Sequence, residues 1–378
     1  MGIINLSFFL FTMTVIYVVL VLYLRNGWAR LTLFKVDDIA PETRVSVIIA
    51  ARNEAANIVH TLNALLAQRY PSSLLEIIVV DDHSTDGTGA LVERYAEQGV
   101  RLITLNEGNK LNSYKKFAID RAIRAASGEV ILTTDADCRM GPDWIRSIMR
   151  YMEQTDKWMI SAPVCYDQEK SYFERLQTLE FLYLIGVGAS GIGNGNPTTC
   201  NGANFAYKKS LFFEMDGFKG IDELASGDDE LLLHKVAEVY PDRIGFCKSK
   251  QAVVYTDAKE NLRAFLSQRK RWASKSTKYK DKKVVVLGVC VWLFNLALLA
   301  SVVSLAWSGP DAAMLVCVSL SLKIVVELLF LSPIVGFLGR AKLLWNLPVL
   351  SLIHSVYLVY IGISGNIGKY DWKGRQVR

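Results

Sequence analysis

Ile131 to Cys138 reads Ile-Leu-Thr-Thr-Asp-Ala-Asp-Cys, a short apolar run that delivers two carboxylates, Asp135 and Asp137, at its end. Read as a strand, the run alternates its side chains between faces, so acids at i and i+2 point the same way. Two carboxylates so placed can share one hard cation with phosphate oxygens. Mg2+ or Mn2+ is seldom caged by two carboxylates alone, and substrate phosphates usually complete the shell. The pair therefore predicts a diphosphate ligand. By itself the motif reads more readily as an ordinary polar turn after a strand, because Asp is common there.

Working outward, the chain alternates between two periods. Val45–Ala50 is a β-branched run, Ala55–Gln68 has helical apolar spacing, Leu75–Val80 is a second apolar strand and Thr88–Gln98 is helical again. Val100–Leu105 gives a third strand, Tyr114–Ala126 a helix, and Val130–Thr134 the strand that carries the acids. Short strands apolar along their whole length predict a mostly parallel sheet covered on both faces, hence a Rossmann-like α/β fold class. Such sheets bind ligands at the carboxyl ends of their strands. Polar residues fall there: Ala51, Arg52, Asn53 and Glu54 follow the first strand, and Asp81, Asp82, His83 and Ser84 the second. Neither Gly-x-Gly-x-x-Gly nor Gly-x-x-x-x-Gly-Lys-Ser/Thr is present, which argues against a dinucleotide fingerprint or a P-loop. Three acidic strand ends repel a phosphate unless a cation intervenes, so a nucleoside diphosphate held through a metal is expected.

Three stretches now carry a family resemblance. Val-Ser-Val-Ile-Ile-Ala-Ala-Arg-Asn-Glu at 45–54, Val-Val-Asp-Asp-His-Ser-Thr-Asp-Gly-Thr at 79–88 and Asp-Ala-Asp at 135–137 resemble, in order and spacing, the nucleotide-sugar half of a family 2 inverting glycosyltransferase with the GT-A fold. The resemblance implies a UDP-sugar donor, with Glu54 and Asp82 on the uridine and Ala51, Arg52 and Asp81 close by. It implies Asp135 near the ribose and diphosphate, at the edge of the metal site, and Asp137 as ligand of Mg2+ or Mn2+. Where the family has Gly-Lys before an Ala-Leu helix, this chain has Ser-Tyr-Lys-Lys-Phe-Ala-Ile at 113–119. Lys115 matches the lysine and Lys116 stands beside it; a solvated helix face would explain either.

The acceptor half follows the same resemblance. Trp158–Cys165 reads as another strand, and Phe173–Val187 as an interfacial helix leading into a mobile glycine-rich loop, Gly186–Gly195. Cys200-Asn201-Gly202-Ala203-Asn204 resembles the acceptor-side segment and implies that Asn201 and Gly202 face the acceptor or diphosphate; alone it would be a turn. Ser226-Gly-Asp-Asp-Glu precedes a helical run, Leu231–Val239. Its plain reading is Ser226 as N-cap with acids in the first turn. The resemblance implies Asp229 as the catalytic base and Asp228 as its acidic neighbour, with Glu230 the alternative in a shifted register because the family's first acid is usually Glu. Gln268-Arg-Lys-Arg-Trp272 resembles the family's Gln-x-x-Arg-Trp element, implying that Gln268, Arg271 and Trp272 enclose the diphosphate and acceptor end.

Composition sets the surroundings. Of 378 residues 51% are hydrophobic and the mean hydropathy is +0.22, which points to membrane segments beside a globular domain. Ile3–Leu24 carries no charge and is followed by Arg25, Arg30 and Lys35, which predicts a retained anchor with the next domain cytoplasmic. Val284–Trp307, Ala312–Leu331 and Leu343–Ile363 are further apolar segments. Asn346, Pro348 and His354 leave the last one open to a re-entrant or interfacial course. The basic residues from Arg269 to Lys283 form a juxtamembrane belt, so the net charge of +6 does not indicate nucleic acid. The six cysteines show no metal-binding spacing.

The expected organisation is an anchor at 1–25, a cytosolic GT-A domain at 40–283, transmembrane helices at 284–364 and a basic tail at 365–378, in the cell membrane. Loop charges count the C-terminus outside, whereas the basic tail argues for inside. The expected activity is transfer of a sugar from a UDP-sugar to a membrane-associated acceptor, a lipid in first place. A polysaccharide synthase of the same family is the alternative. A membrane-tethered nucleotide-binding scaffold is the non-enzymatic one, opposed by the joint presence of metal acids, base and Gln-x-x-Arg-Trp element. Lys323 and Glu327, four apart in an apolar segment, either line an acceptor path or pair inside the bundle.

Overall fold

The computed structural model describes residues 2–108, 113–224, 226–275, 282–365, 370–372 and 375–377. Residues 276–281 of the basic belt, and Lys369, Lys373 and Arg378 of the tail, lie outside the described residues. The chain begins with α1 (Gly2–Arg30), β1 (Val45–Ala51), α2 (Ile58–Leu66), β2 (Leu75–Asp81), α3 (Thr88–Glu93), β3 (Val100–Thr104), α4 (Tyr114–Ala125) and β4 (Val130–Thr133). It continues with β5 (Arg139–Met140), α5 (Trp144–Thr155), β6 (Met159–Ser161), β7 (Val164–Tyr166), α6 (Tyr172–Gly193), β8 (Phe205–Lys208), α7 (Lys209–Glu214) and α8 (Glu230–Val239). β9 (Ile244–Phe246), β10 (Val254–Thr256), α9 (Leu262–Ala273), α10 (Lys282–Ser304), α11 (Pro310–Phe337) and α12 (Leu347–Ser364) follow, before a short β11–β12 pair (Tyr370–Trp372, Arg375–Val377).

By packing the chain divides into two compact units. One holds Arg30–Gln168, Val187–Ala258 and Asp371–Arg378; the other holds Met1–Ala29, Glu169–Gly186 and Lys259–Tyr370. The first is built on a seven-stranded sheet in the order β3-β2-β1-β4-β8-β6-β9. β1 runs parallel to β2 and β4, and β2 to β3, while β8 lies antiparallel between β4 and β6. The apolar runs explain this arrangement: Val47, Ile49, Ile78, Val80, Ile131 and Leu132 are fully buried, which requires cover on both faces. Each such side chain contributes about 1.5–3 kcal/mol of burial. A smaller sheet, β5-β10-β7, completes the unit.

Register places the strand ends together. Ala51 pairs with Asp81 and Asp81 with Thr104, so three carboxyl ends finish level. β4 stops earlier, where Thr133 pairs with Ile48. Asp135 and Asp137 therefore do not extend a strand; they lie in the turn after β4, closed by the Cys138 amide donating to the Asp135 carbonyl at 3.3 Å. The expectation of two acids on one strand face is corrected accordingly. The strand expected over Trp158–Cys165 is two strands, β6 and β7, because Pro163 has no amide to continue a ladder.

The second unit contains the apolar helices. Among the described residues five helical segments are long and apolar enough to cross a membrane: Leu6–Arg30, Tyr172–Gly193, Val284–Ser304, Pro310–Phe337 and Ala341–Ser364. Pro348 sits in the first turn of α12, where its missing amide costs nothing, so no break interrupts that helix. Lys323 pairs with Glu327 at 2.5 Å inside the bundle, and Glu327 also accepts from Tyr17 of α1 and Ser351 of α12, each at 2.5 Å. The internal ion pair is thus the course these two charges take. It is shielded completely, with Lys323 at 0% exposure.

α6 departs most from expectation. The glycine-rich stretch is helical through Gly193 instead of forming a loop from Gly186. In its most apolar window 72% of residues are buried, against 28–39% for the other four segments, so most of this helix packs against protein. Its glycines serve close approach: a Cβ on Gly188 would meet the Thr199 carbonyl oxygen at 2.7 Å, and one on Gly191 the Asn196 carbonyl oxygen at 2.7 Å.

Candidate functional site

The loops after β1 and β2 are knit to each other before they offer anything to a ligand. Asn53 and His83, each two residues past the end of its strand, hold left-handed backbone with φ of 49° and 55°. The Asn53 amide donates to Ser84 Oγ at 3.0 Å, and Asn53 Oδ1 accepts from the Thr85 amide at 2.8 Å. Asp86 accepts from the amides of Ala55 and Thr88, and Thr88 Oγ1 accepts from the Glu54 amide at 2.8 Å. These bonds outweigh the effect of burial and hold the Asp86 pKa below its ordinary 3.8. Positive φ at two non-glycine residues beside a ligand-binding sheet edge marks a site held in shape by its surroundings.

Within this frame Ala51 is buried and its carbonyl accepts the Asp82 amide at 2.8 Å. Arg52 spans to the second loop, its Nη1 donating to the carbonyls of Asp82 (2.9 Å) and His83 (3.0 Å). Glu54 is half-buried and accepts from Asn57 Nδ2 at 3.0 Å. Asp82 is buried beside the His83 ring, with Oδ1 at 2.9 Å from Nδ1. Asp81 Oδ1 accepts from the Ser84 amide at 3.1 Å, and its other oxygen lies 2.6 Å from where a Cβ on residue 89 would stand, so a side chain there would push the Asp81 carboxylate aside.

The acids at the sheet edge converge on one lysine. Lys115 Nζ is 3.0 Å from Asp135 Oδ1 and 3.4 Å from Asp228 Oδ2. Burial works against the charge on Lys115, but Asp135, Asp228 and Asp229 together outweigh it and raise its pKa. Lys115, and not Lys116, is therefore the lysine of the acidic cluster. Lys116 is buried and turns to backbone carbonyls, those of Leu224 at 2.5 Å and Ser226 at 2.8 Å. Asp137, half-buried in the same turn as Asp135, has Oδ1 3.9 Å from Cys138 Sγ.

At the 226–230 stretch α8 begins about one turn later than a Ser226 cap would place it. Gly227 takes φ of 82°, and Asp229, not Ser226, caps the helix, accepting from the Glu230 amide at 2.7 Å. Its second oxygen accepts from the Gly202 amide at 2.7 Å. Gly202 is held in turn by Thr133 Oγ1, which donates to its carbonyl at 2.8 Å, while Asn201 Oδ1 accepts from the Ala203 amide at 3.0 Å and shapes that turn. Lys115, Asp135, Asp228, Asp229 and Gly202 thus form one cluster. Glu230 is buried under the helix start.

Gln268, Arg271 and Trp272 lie on α9, in the other compact unit. Their neighbour Arg269 is buried against Glu180, with Nε to Oε1 at 3.1 Å, and donates to Gln268 Oε1 at 2.8 Å. Its guanidinium lies 4.2 Å from the Trp272 ring centroid and 4.6 Å from that of Phe265. Sequence reasoning missed Glu180 and Arg269 as organisers of this element, and Thr133 and Thr88 as the hydroxyls that fix Gly202 and Glu54. A charge such as Glu180 inside an apolar run was the available signal.

No group of three or more metal-ligating side chains is found among the described residues. The donor set of Asp135 and Asp137, two hard carboxylates in one turn, fits a divalent ion that takes its remaining ligands from a diphosphate and water. A deep cage would not suit such an ion.

Residues 46–215 match the family model described as Glycosyl transferase family 2. The chain is 24% identical over 241 residues to a hyaluronan synthase of Streptococcus pyogenes, covering 61% of this chain and 56% of that one. It is 29% identical over 111 residues to a beta-monoglucosyldiacylglycerol synthase of Synechocystis sp., covering 29% and 23%. Across the curated relatives first in similarity the match spans only 23–58% of their own length. Among solved structures it resembles a mannosyltransferase from Pyrobaculum calidifontis in complex with GDP-Man and Mn2+, with a TM-score of 0.59, 20% identity, and coverage of 93% of this chain and 99% of that one.

Proposed function

We propose, for a chain whose residues 46–215 are a family 2 glycosyl transferase domain and whose sheet has the GT-A fold, an inverting transfer of a sugar from a UDP-sugar to a membrane acceptor, with a lipid in first place. The observation that carries it is the Asp229 carboxylate, fixed between the Gly202 and Glu230 amides next to the cluster of Lys115, Asp135 and Asp228. A carboxylate oriented by two amides is positioned for proton transfer. It takes the proton of an acceptor hydroxyl as that oxygen bonds to the anomeric carbon. The bond to the diphosphate breaks on the opposite side, and its electron pair leaves with the diphosphate.

Glu54 and Asp82 are the groups offered to the uracil and ribose, with Arg52 holding their two loops together. Asp137 and Asp135 would hold a divalent ion, which neutralises charge on the departing diphosphate when bound. Lys115 supplies a second cation at that edge. Gln268, Arg271 and Trp272 are assigned to the diphosphate and acceptor end, and residues 40–283 to the transferase part of the chain. The apolar helices argue for a multi-pass membrane protein, and the charges at 25–35 for a cytoplasmic transferase.

The polysaccharide reading rests on the length of the match to the hyaluronan synthase. The lipid reading is favoured because the five apolar segments include α6, most of which is buried, leaving few helices to wall a channel for a growing chain. The test incubates membranes containing the protein with a panel of labelled UDP-sugars. One organic-soluble glycolipid supports the reading, and a high-mass glycan from the purified protein replaces it with the polymerase. Transfer from none of the UDP-sugars, but from another nucleotide sugar, overturns the donor assignment.

A further inference from the structure

We infer that Lys116 is a positioning residue for the catalytic base: its ammonium holds the carbonyls of Leu224 and Ser226 and so sets where Asp228 and Asp229 stand. The inference rests on the assignment of Asp229 as base. On α4 consecutive residues point about 100° apart, which is why Lys115 reaches the acids while Lys116 turns inward. Lys116 is 2% exposed, and its Nζ donates to Leu224 O at 2.5 Å and Ser226 O at 2.8 Å. A buried lysine spent on backbone carbonyls costs desolvation that an apolar residue would not. What it gains includes charge-assisted hydrogen bonds to the Leu224 and Ser226 carbonyls.

That segment leads directly into the acids. Ser226 is followed by Gly227 at φ of 82°, whose carbonyl accepts the Leu231 amide at 3.3 Å, and then by Asp228 and by Asp229 at the helix cap. Gly227 therefore lies between two holds, Lys116 on the Ser226 carbonyl before it and the Gly202 amide on the Asp229 carboxylate after it. With the first hold removed, Gly227 lets the loop swing and the carboxylate loses its fixed aim. Displacements of about 1 Å at a reacting group cost on the order of 100-fold in rate. Lys116 is buried away from the surface that a donor or acceptor would reach, so its removal reads in kcat and leaves donor KM in place.

The experiment is a double-mutant cycle in the full-length protein, with the UDP-sugar that the panel identifies. It compares Lys116→Met, Asp229→Asn and the double variant for kcat and donor KM, with UDP binding counting the folded fraction. Lys116→Met is expected to lower kcat about 10- to 100-fold at unchanged donor KM, and to add less than about threefold in the Asp229→Asn background, as residues acting through one group do not add. Lys116→Arg keeps a long cationic donor and is expected to recover most of the loss. With Asp229→Asn impaired, a Lys116→Met enzyme of full kcat, or one whose loss is undiminished in the double variant, overturns the inference alone. A fully active Asp229→Asn overturns the base assignment and the inference with it. Should Lys116→Met not fold, Lys116→Arg decides: near-native kcat upholds the inference, and loss of donor binding instead of kcat overturns it.

Discussion

Gly202→Ala is the substitution whose effect on turnover follows most directly from distances. A Cβ built on Gly202 would lie 3.3 Å from Asp229 Cβ, 3.3 Å from Asp229 Oδ2 and 3.4 Å from Asp228 Oδ2. Such contacts are tighter than ordinary van der Waals spacing, so the carboxylates must give way by a few tenths of an ångström. The Gly202 amide, which donates to that same Oδ2 at 2.7 Å, keeps its place because Thr133 holds the adjacent carbonyl. The displacement therefore falls on the base. If 1 Å of misplacement costs on the order of 100-fold, a third to a half of that distance costs about five- to tenfold. Steady-state kinetics with saturating acceptor should show kcat reduced by that factor, with donor KM within about twofold of wild type and stability lowered by no more than about 1–3 kcal/mol, the range for an added methyl in a packed place. An unchanged kcat would mean that the carboxylate facing Gly202 takes no part in the chemistry. A loss confined to donor KM would move Gly202 to the donor site.

Asp229→Asn should retain UDP binding while kcat falls by roughly 10²- to 10⁴-fold; a larger loss in Glu230→Gln would show the shifted register to be the true one. Asp137→Asn should abolish metal-dependent UDP binding measured by calorimetry, and full activity of that variant in chelator would remove the metal assignment. Glu180→Gln leaves the Arg269 guanidinium buried beside Trp272 without its counter-charge, which should cost about 3–5 kcal/mol in detergent-solubilised stability; a neutral result would mean that water reaches the pair. Asp86 has a depressed pKa, so its contribution is present above pH 3.8 and is lost as pH falls through its lower folded value. An acid unfolding curve of Asp86→Asn should lack that part of the low-pH loss, and curves that superimpose would show the loop to be held by other bonds.

The strands were legible because their burial is two-sided: a run such as Val45–Ala51, buried almost throughout, has no amphipathic pattern to confuse. Their polar endings were legible for the same reason, since the composition changes abruptly where the sheet stops. What the sequence misrepresented was local geometry that tertiary contacts decide. The turn holding Asp135 and Asp137 arises because β4 ends beside Ile48, and that register is invisible in the eight residues themselves. The glycines of α6 suggested mobility, yet Gly188 and Gly191 are small because backbone carbonyls press on them. Ser226 looked like a cap until Gly227, by turning left-handed, passed that role to Asp229. The choice between Lys115 and Lys116 needed the third dimension, since both belong to the same turn of one helix.

The hydroxyl of Tyr17 meets Glu327 across 310 positions of chain, and Thr14 Oγ1 meets Ser319 across 305. In terms of synthesis these bonds have a date. At about 5–20 residues per second, α1 leaves the ribosome roughly 15–60 s before its partners on α11 exist. Through that interval Thr14 can bond back to the Leu10 carbonyl, as it does in the finished protein at 2.7 Å, while Tyr17 meets Glu327 only once α11 is made. The first helix made is thus one of the last to be finished. A chain released before Glu327 is made would carry an α1 whose Tyr17 hydroxyl lacks the carboxylate it meets in the finished protein.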